Sequence, residues 1–321
     1  MDSEPESTLL SDVADVVIGV PEAIKKPFYK AISDLLGGIV AIPAAKLRQI
    51  AQSIDDTTAA RKLSSEAMAK VAVNNIIDNE ELALIAAEMY LPPMLRKAKN
   101  RLEVAKKAAE HLPTSSEGEN LEKSAAPNDD WMNNFIRYAE DASSDRMRDL
   151  FGRILAGEVS RPGAFGVTTL RTLSELEQDI AEDFTYAWSL SVGDSVDYTD
   201  EWKLGVTYSR WQRLIEAGLM ASSYSVRSLP HMPNPDIDIA IWQPVEADNS
   251  WLAITFRKGA NVTWEHISFT RVGKQIGKIL DRPNYEENMR KMANRLPRSG
   301  LIQAQLITDS MHTELLWRNP A

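Results

Sequence analysis

No cysteine occurs anywhere in the 321 residues. That removes disulfide frameworks, thiolate nucleophiles and Cys-ligated zinc together. Histidine is scarce as well. His111, His231, His266 and His312 lie far apart, and none has the spacing of a metal motif. Long apolar runs are missing too. The longest uncharged window, residues 35–45 between Asp34 and Lys46, falls well short of the roughly 20 residues that cross a bilayer. The acidic start, Met1-Asp2-Ser3-Glu4-Pro5-Glu6, lacks the basic region of a secretory signal, so the expected location is cytoplasmic. No Gly-x-Ser-x-Gly elbow, phosphate-binding P-loop or dinucleotide glycine fingerprint is present.

What the chain does have is ordinary for a globular protein: 44% hydrophobic and 26% charged residues, with length for two or three cores. Net charge is −10, unevenly spread. Residues 1–183 hold 21 Lys+Arg against 31 Asp+Glu, residues 184–321 hold 15 of each, and 251–300 hold 10 basic against 4 acidic. An acidic chain with one basic stretch has room for a local polyanion contact but is not a general nucleic-acid coat.

Periodicity sets the organisation. Residues 9–50 read as short helices broken by Gly19-Val20-Pro21, Gly37-Gly38 and Pro43, and 56–112 as a helical stretch interrupted at Pro92-Pro93. Residues 113–130 turn polar and read as a linker. Trp131, Phe135, Tyr138, Ala139 and Ala142 then form one apolar stripe. Ser143-Ser144-Asp145 offers cap residues to a second helix carrying Met147, Leu150, Phe151, Ile154 and Leu155, with Gly157 placed as a C-terminal glycine. Arg161-Pro162-Gly163 reads as a turn, and Ser174 with Glu177 as a capping box opening a third helix. Beyond about residue 195, Thr207 is positioned to cap a helix over 208–217. Alternating runs at Ile237–Ile241, Leu252–Phe256 and Trp264–Phe269 read as strands, and Thr270 caps a short helix. A helix bearing Tyr285, Met289, Met292 and Leu296 and a strand over 301–307 follow. The expected fold is mainly α and multidomain: an N-terminal helical region (1–112), a linker (113–130), a central three-helix module (131–192) and a winged-helix-like α+β domain (193–321).

The ordered residues Trp131, Phe135, Met147, Leu155-Ala156-Gly157-Glu158, Pro162-Gly163, Thr169-Leu170, Leu173 and Phe184, then Ala217-Gly218-Leu219, Phe269-Thr270, Tyr285 and Leu296, resemble an uncharacterised bacterial domain-of-unknown-function family over roughly residues 30–310. More distantly, the central helices are similar to the abortive-infection alpha proteins. That resemblance implies a context of phage defence and no catalytic residue set. Two departures stand out: the usual large aromatic or equivalent partner before the Leu-Ala-Gly-Glu block is Phe151-Gly152, where Gly152 weakens the helix, and the N-terminal third is less basic.

No catalytic, cofactor or metal set is expected. Trp131, Phe135, Leu155, Gly157, Glu158, Pro162 and Gly163 read as a structural signature. Glu158 would accept hydrogen bonds from the Pro162-Gly163 turn or from Arg146, Arg153, Arg161 or Arg171, or else act as a carboxylate catalyst. His231, Asp236 and Asp238 read as turn and strand-edge residues. Pro235-Asp236 and Arg257-Lys258 do not make a nuclease pair, because the second acid is missing. The two Gly-Lys pairs in 272–278 lack the hydroxyl residue of a phosphate loop.

The preferred function is a non-enzymatic interaction or effector protein of anti-phage defence, homo-oligomeric and meeting a protein partner or phage component. The alternative is a nucleic-acid-binding winged helix using Arg210, Arg213, Arg257, Lys258, Arg271, Lys274 and Lys278. In that reading Arg271, Lys274 and Lys278 form one helical stripe, and Glu216, Asp200 and Glu201 dilute the 208–217 surface. A third reading is a membrane-perturbing effector acting at the membrane surface through residues 28–45.

Overall fold

The computed structural model describes residues 20–36, 80–113, 125–228, 231–233, 237–242, 250–260, 262–308 and 312–319. Readings that fall on Gly37-Gly38, Pro43, residues 56–79, most of the 113–130 linker and Asp236 lie outside the described residues. The chain divides into two compact units, Met1–Ser174 and Glu175–Ala321. The division falls inside the 131–192 segment read as one module.

In the first unit, helix α1 (Glu22–Leu36) starts beyond Pro21, whose carbonyl accepts the Ile24 and Lys25 N–H groups at 2.9 and 3.1 Å. Ile24, Phe28, Ala31, Ile32 and Leu35 line its buried face. This is the described part of the 28–45 segment, and its apolar side is spent on the core. Among the described residues no helix is long and apolar enough to cross a membrane.

Helix α2 (Glu80–Glu110) continues through Pro92 and Pro93, where the sequence predicted a break. An interior proline costs about 3 kcal/mol in a helix. Here the following turns are held by tertiary contacts that offset it. Ala98, Val104, Ala105, Ala108 and Ala109 are buried, and so is Asn100. Asn100 donates to the Glu140 carbonyl at 2.8 Å and accepts from Arg148 at 2.9 Å. Lys97 meets the Glu140 carboxylate at 2.6 Å and Arg101 binds its other oxygen.

Helices α3 (Asp129–Ala139) and α4 (Asp145–Ser160) start where cap chemistry places them. Asn128 accepts from the Asp130 and Trp131 N–H groups, and Ser144 from that of Met147. Gly157 is no terminal glycine. It lies inside α4, which continues to Ser160.

The third predicted helix is α6 (Gln178–Ser189), and a further helix that the sequence reading did not assign, α5 (Val167–Glu175), precedes it. The expected capping box is not made, because the Ser174 hydroxyl donates back to the Arg171 carbonyl at 2.8 Å, closing α5 instead of opening a helix. Glu177 is itself the cap residue of α6 and makes no side-chain cap bond.

The second unit carries two antiparallel sheets beside its helices. Strands β1 (Ser191–Val192), β2 (Ser195–Asp197), β3 (Ser225–Ser228) and β7 (Thr263–Ser268) run in the order β1-β2-β7-β3. Strands β4 (His231–Pro233), β5 (Ile237–Trp242), β6 (Trp251–Arg257), β8 (Leu301–Ile307) and β9 (Thr313–Arg318) run in the order β4-β5-β6-β8-β9. The runs at 252–256 and 264–269 therefore belong to different sheets. Strand β6 is buried from Leu252 to Phe256, on both faces, and takes neighbours from its own sheet on both sides.

Helix α7 (Gly205–Glu216) begins before Thr207, which is not its cap. Gly205, at φ +75°, turns the chain into it. Helix α8 (Arg271–Gly277) is capped by Thr270, which accepts the Gly273 N–H. Helix α9 (Tyr285–Arg295) lays Met289 and Met292 on a core with Leu252, Ile254, Phe256 and Leu306.

Two substitutions test this packing. A Cβ on Gly152 would lie 2.6 Å from the Lys107 Cβ and 2.8 Å from its backbone carbon, where α4 crosses α2. Helix propensity alone predicts that Gly152→Ala stabilises by about 1 kcal/mol. The crossing predicts the opposite, a loss of about 1–3 kcal/mol or more in denaturant unfolding. Glu140 is the second case. Burial works to raise its pKa, but the hydrogen bonds from Lys97 and Arg101 outweigh burial and hold it below the ordinary 4.5. A depressed carboxylate contributes stability above its unfolded value and loses it as pH falls through the folded one. Glu140→Gln is therefore expected to cost on the order of 1–3 kcal/mol at pH 7, with the gap to wild type closing as unfolding is measured below the ordinary value.

Candidate functional site

Two places concentrate polar groups under constraint. The first is the turn after α4. Glu158 is buried, and its carboxylate accepts the Gly163 N–H at 2.6 Å and the Phe165 N–H at 2.9 Å, while the Ala164 N–H between them donates to the Arg161 carbonyl at 3.0 Å and faces the same carboxylate. Burial pushes its pKa above the ordinary range, and the three backbone donors pull against that. Among the described residues its partners are backbone N–H groups, and none is an arginine side chain. Arg153, one of the four expected, binds Asp149 at 2.9 Å.

The Trp131 indole N–H donates to the Phe165 carbonyl at 2.7 Å, and a Cβ on Gly157 would come within 2.7 Å of the Phe165 ring. Phe165 is thus held by its amide, its carbonyl and its ring. Trp131 stacks on Phe135 at 5.1 Å, and Phe135 meets Phe151 edge-on at 5.7 Å. Leu155 is buried, Pro162 exposed, and Gly163 takes φ +84° in the turn. Phe165 was missed in the sequence. Its signal was modest: one large apolar residue two places after a Pro-Gly turn.

The second place is the pairing of α6 with α7. Asp183 is buried on α6. One of its oxygens meets Arg210 Nε at 3.0 Å, and the other takes Arg213 Nε at 2.7 Å and its Nη2 at 2.5 Å. The Arg210 guanidinium also lies 4.5 Å above the Tyr186 ring. Residues 175–216 contain ten acidic and three basic side chains, a balance of −7. The third base, Lys203, pairs with Asp200 at 2.7 Å. Every cation of this segment is spent within it.

The remaining candidate cations sit on other elements. Lys274 on α8 reaches Asp194 at 3.1 Å, with Arg271 exposed at the start of that helix and Lys278 exposed just past its end. Arg257 and Lys258 are exposed where β6 of the other sheet ends. The glycines of the two Gly-Lys pairs serve packing: a Cβ at Gly273 would strike the Leu219 carbonyl oxygen at 2.1 Å, and one at Gly277 the Trp188 ring at 2.3 Å. Among the described residues no group of three or more His, Asp or Glu is arranged to hold a metal ion.

The α7 surface has a further character. Leu204 is 81% exposed, Val206 70% and Val226 57%, with Tyr208 and Tyr224 also exposed. An aromatic chain runs from Tyr208 through Trp211 and Tyr198 to Tyr224, the last two stacked at 4.4 Å. Sequence reasoning missed this surface because Leu204, Val206 and Tyr208 fall at a period of two that is out of step with the helix they open, and Tyr224 and Val226 lie 16 or more residues further on.

Residues 93–202 match the sequence model of a family described as Protein of unknown function (DUF2806), a stretch that includes the whole Glu158 turn. No curated protein matches the chain, and no solved structure does.

The Glu158 turn generates one expectation. Glu158→Gln keeps the shape but replaces one acceptor oxygen with an amide donor facing backbone N–H groups. It should lower unfolding free energy by about 1–3 kcal/mol and speed hydrogen exchange at Gly163 and Phe165. Unchanged exchange at both amides would show that the carboxylate does not hold the turn.

Proposed function

We propose that the chain is a non-enzymatic interaction protein, an effector-type component of phage defence that works as an oligomer and meets a protein partner. The phage context rests on the distant likeness to the abortive-infection alpha proteins. The mode of action rests on the second unit. We read α6, β2, the Asp200–Trp202 turn, α7, β3 and β7 as a winged-helix-like arrangement. The β2-β7-β3 pairing order supports that reading, with β4 to β6 as an insertion between the two wing strands. On such an arrangement α7 would be the element presented to a ligand.

The observation that carries the proposal is the charge state of that element. A phosphate-reading helix brings cations to its outer side. Here Arg210 and Arg213 are both bound to Asp183, Lys203 is bound to Asp200, and the surrounding segment is acidic. Large apolar side chains stand outward instead. This favours polypeptide over nucleic acid, and winged helices serve both uses. Within unit one, the Glu158 turn acts as a rigid structural block whose buried carboxylate is consumed by backbone donors.

Mass photometry of the purified full-length protein, with and without a duplex DNA at low salt, tests the reading. The expected result is a species of two or more chains whose mass does not change when DNA is added. A monomer, or a mass increase with DNA that is lost on replacing Arg210 and Arg213 by Ala, overturns it.

A further inference from the structure

Five of the eight large hydrophobic side chains exposed among the described residues fall within residues 204–226: Leu204, Val206, Tyr208, Tyr224 and Val226. Singly exposed apolar residues need no explanation, but a cluster of this kind marks an interaction site. Ring contacts link Tyr208, through buried Trp211 and half-buried Tyr198, to Tyr224, joining α7, the loop after β2 and the approach to β3.

The platform beneath is fixed. Trp202 is 2% exposed and anchors the Asp200–Trp202 turn. The Trp211 indole donates to the Ala221 carbonyl at 2.9 Å, and the Leu219 and Met220 amides both donate to the Leu214 carbonyl. A surface held this way loses little conformational freedom when it is covered.

Its edges carry the sign of the partner. Asp200 and Glu201 stand exposed immediately before Leu204. Glu265 is exposed on β7 directly across the ladder from Val226, and its carbonyl accepts the Tyr198 N–H at 3.0 Å. The nearby cations are each paired with an aspartate: Lys203 with Asp200 at 2.7 Å, Arg295 with Asp197 at 3.2 Å and Arg227 with Asp194 at 3.8 Å, and Lys203 also lies over the Tyr198 ring at 5.5 Å. With those cations paired, the exposed Glu201 and Glu265 leave the rim negative around an apolar centre, the arrangement of an interface core with a charged border.

We infer that this surface docks a polypeptide segment of another protein that presents apolar side chains flanked by lysine or arginine. The inference rests on the reading of α7 as a protein-facing element and adds the chemistry of what it faces. The apolar centre supplies affinity on contact, and the acidic rim speeds encounter and rejects acidic segments and phosphates.

The test uses the full chain and a fluorescein-labelled amphipathic lysine–leucine model peptide, with a glutamate–leucine peptide of the same pattern as its counterpart. Binding is followed by fluorescence anisotropy over a salt series. The lysine peptide is expected to bind wild type, and the glutamate peptide not to bind. A triple variant, Leu204→Ser with Val206→Ser and Tyr208→Ser, should weaken the lysine peptide at least ten-fold, and Glu265→Gln should weaken it and flatten its salt dependence. All three triple-variant positions are exposed. Should that variant nonetheless melt early, Val206→Ser alone carries the test with an expected loss of about three-fold.

Equal affinity for wild type and the patch variants overturns the inference while leaving the oligomeric, DNA-free reading standing. Conversion of an oligomer to a monomer by the triple variant also overturns it, because the surface would then be covered by a second copy. Duplex DNA that binds wild type and is lost in the triple variant removes the broader reading with it.

Discussion

One buried carboxylate decides what the second unit can present. Asp183 sits on α6 with its side chain 7% exposed and receives both arginines that α7 has to offer. Each ion needs the other. A buried aspartate without a cation would pay a heavy desolvation cost, and the guanidinium groups supply directed hydrogen bonds that offset it. The consequence reaches the surface: with Arg210 and Arg213 turned towards Asp183, the outward character of α7 is set by Leu204, Val206 and Tyr208 and by the acids around them. On the proposed reading, the contact that locks these two helices together also bears on the class of ligand outside.

Unit one uses the same physics without a cation. Glu158 is buried too, but backbone N–H groups of the Gly163–Phe165 turn satisfy it, while Trp131 takes the carbonyl on the other side of Phe165. A carboxylate committed to backbone donors, with its pKa pushed upward by burial, is a fastening for a turn. The match of residues 93–202 to a family model covers this fastening whole.

The legible parts of the sequence were those governed by local rules. Cap residues Ser144 and Thr270 sit where side-chain oxygens can reach the first free amides, and the alternation around Ile254 and Trp264 marked strands. The failures were places where tertiary contact overrode a local rule. Pro92 and Pro93 do not break α2, because the turns after them are tied to Glu140. Gly157 is a glycine for the Phe165 ring and not for a helix end. Ser174 and Glu177 have capping-box spacing, yet the serine spends its hydroxyl on its own helix. Gly152, which looks like a weak point in α4, is where another helix passes. The same holds at the surface: Arg210 and Arg213 have the spacing of a phosphate-binding pair, and only the fold reveals that an aspartate 27 and 30 residues earlier has already taken them.

The grip of Asp183 on the two arginines is most directly measured by a double-mutant cycle in denaturant unfolding, with Asp183→Asn, Arg213→Ala and the pair, on a common Arg210→Ala background as well as in wild type. The account predicts that Asp183→Asn costs on the order of 2–4 kcal/mol and that the double variant costs clearly less than the sum, by about 1 kcal/mol or more. Strict additivity, within about 0.5 kcal/mol, would mean that the arginines are free to serve a ligand, and would contradict the account at its centre.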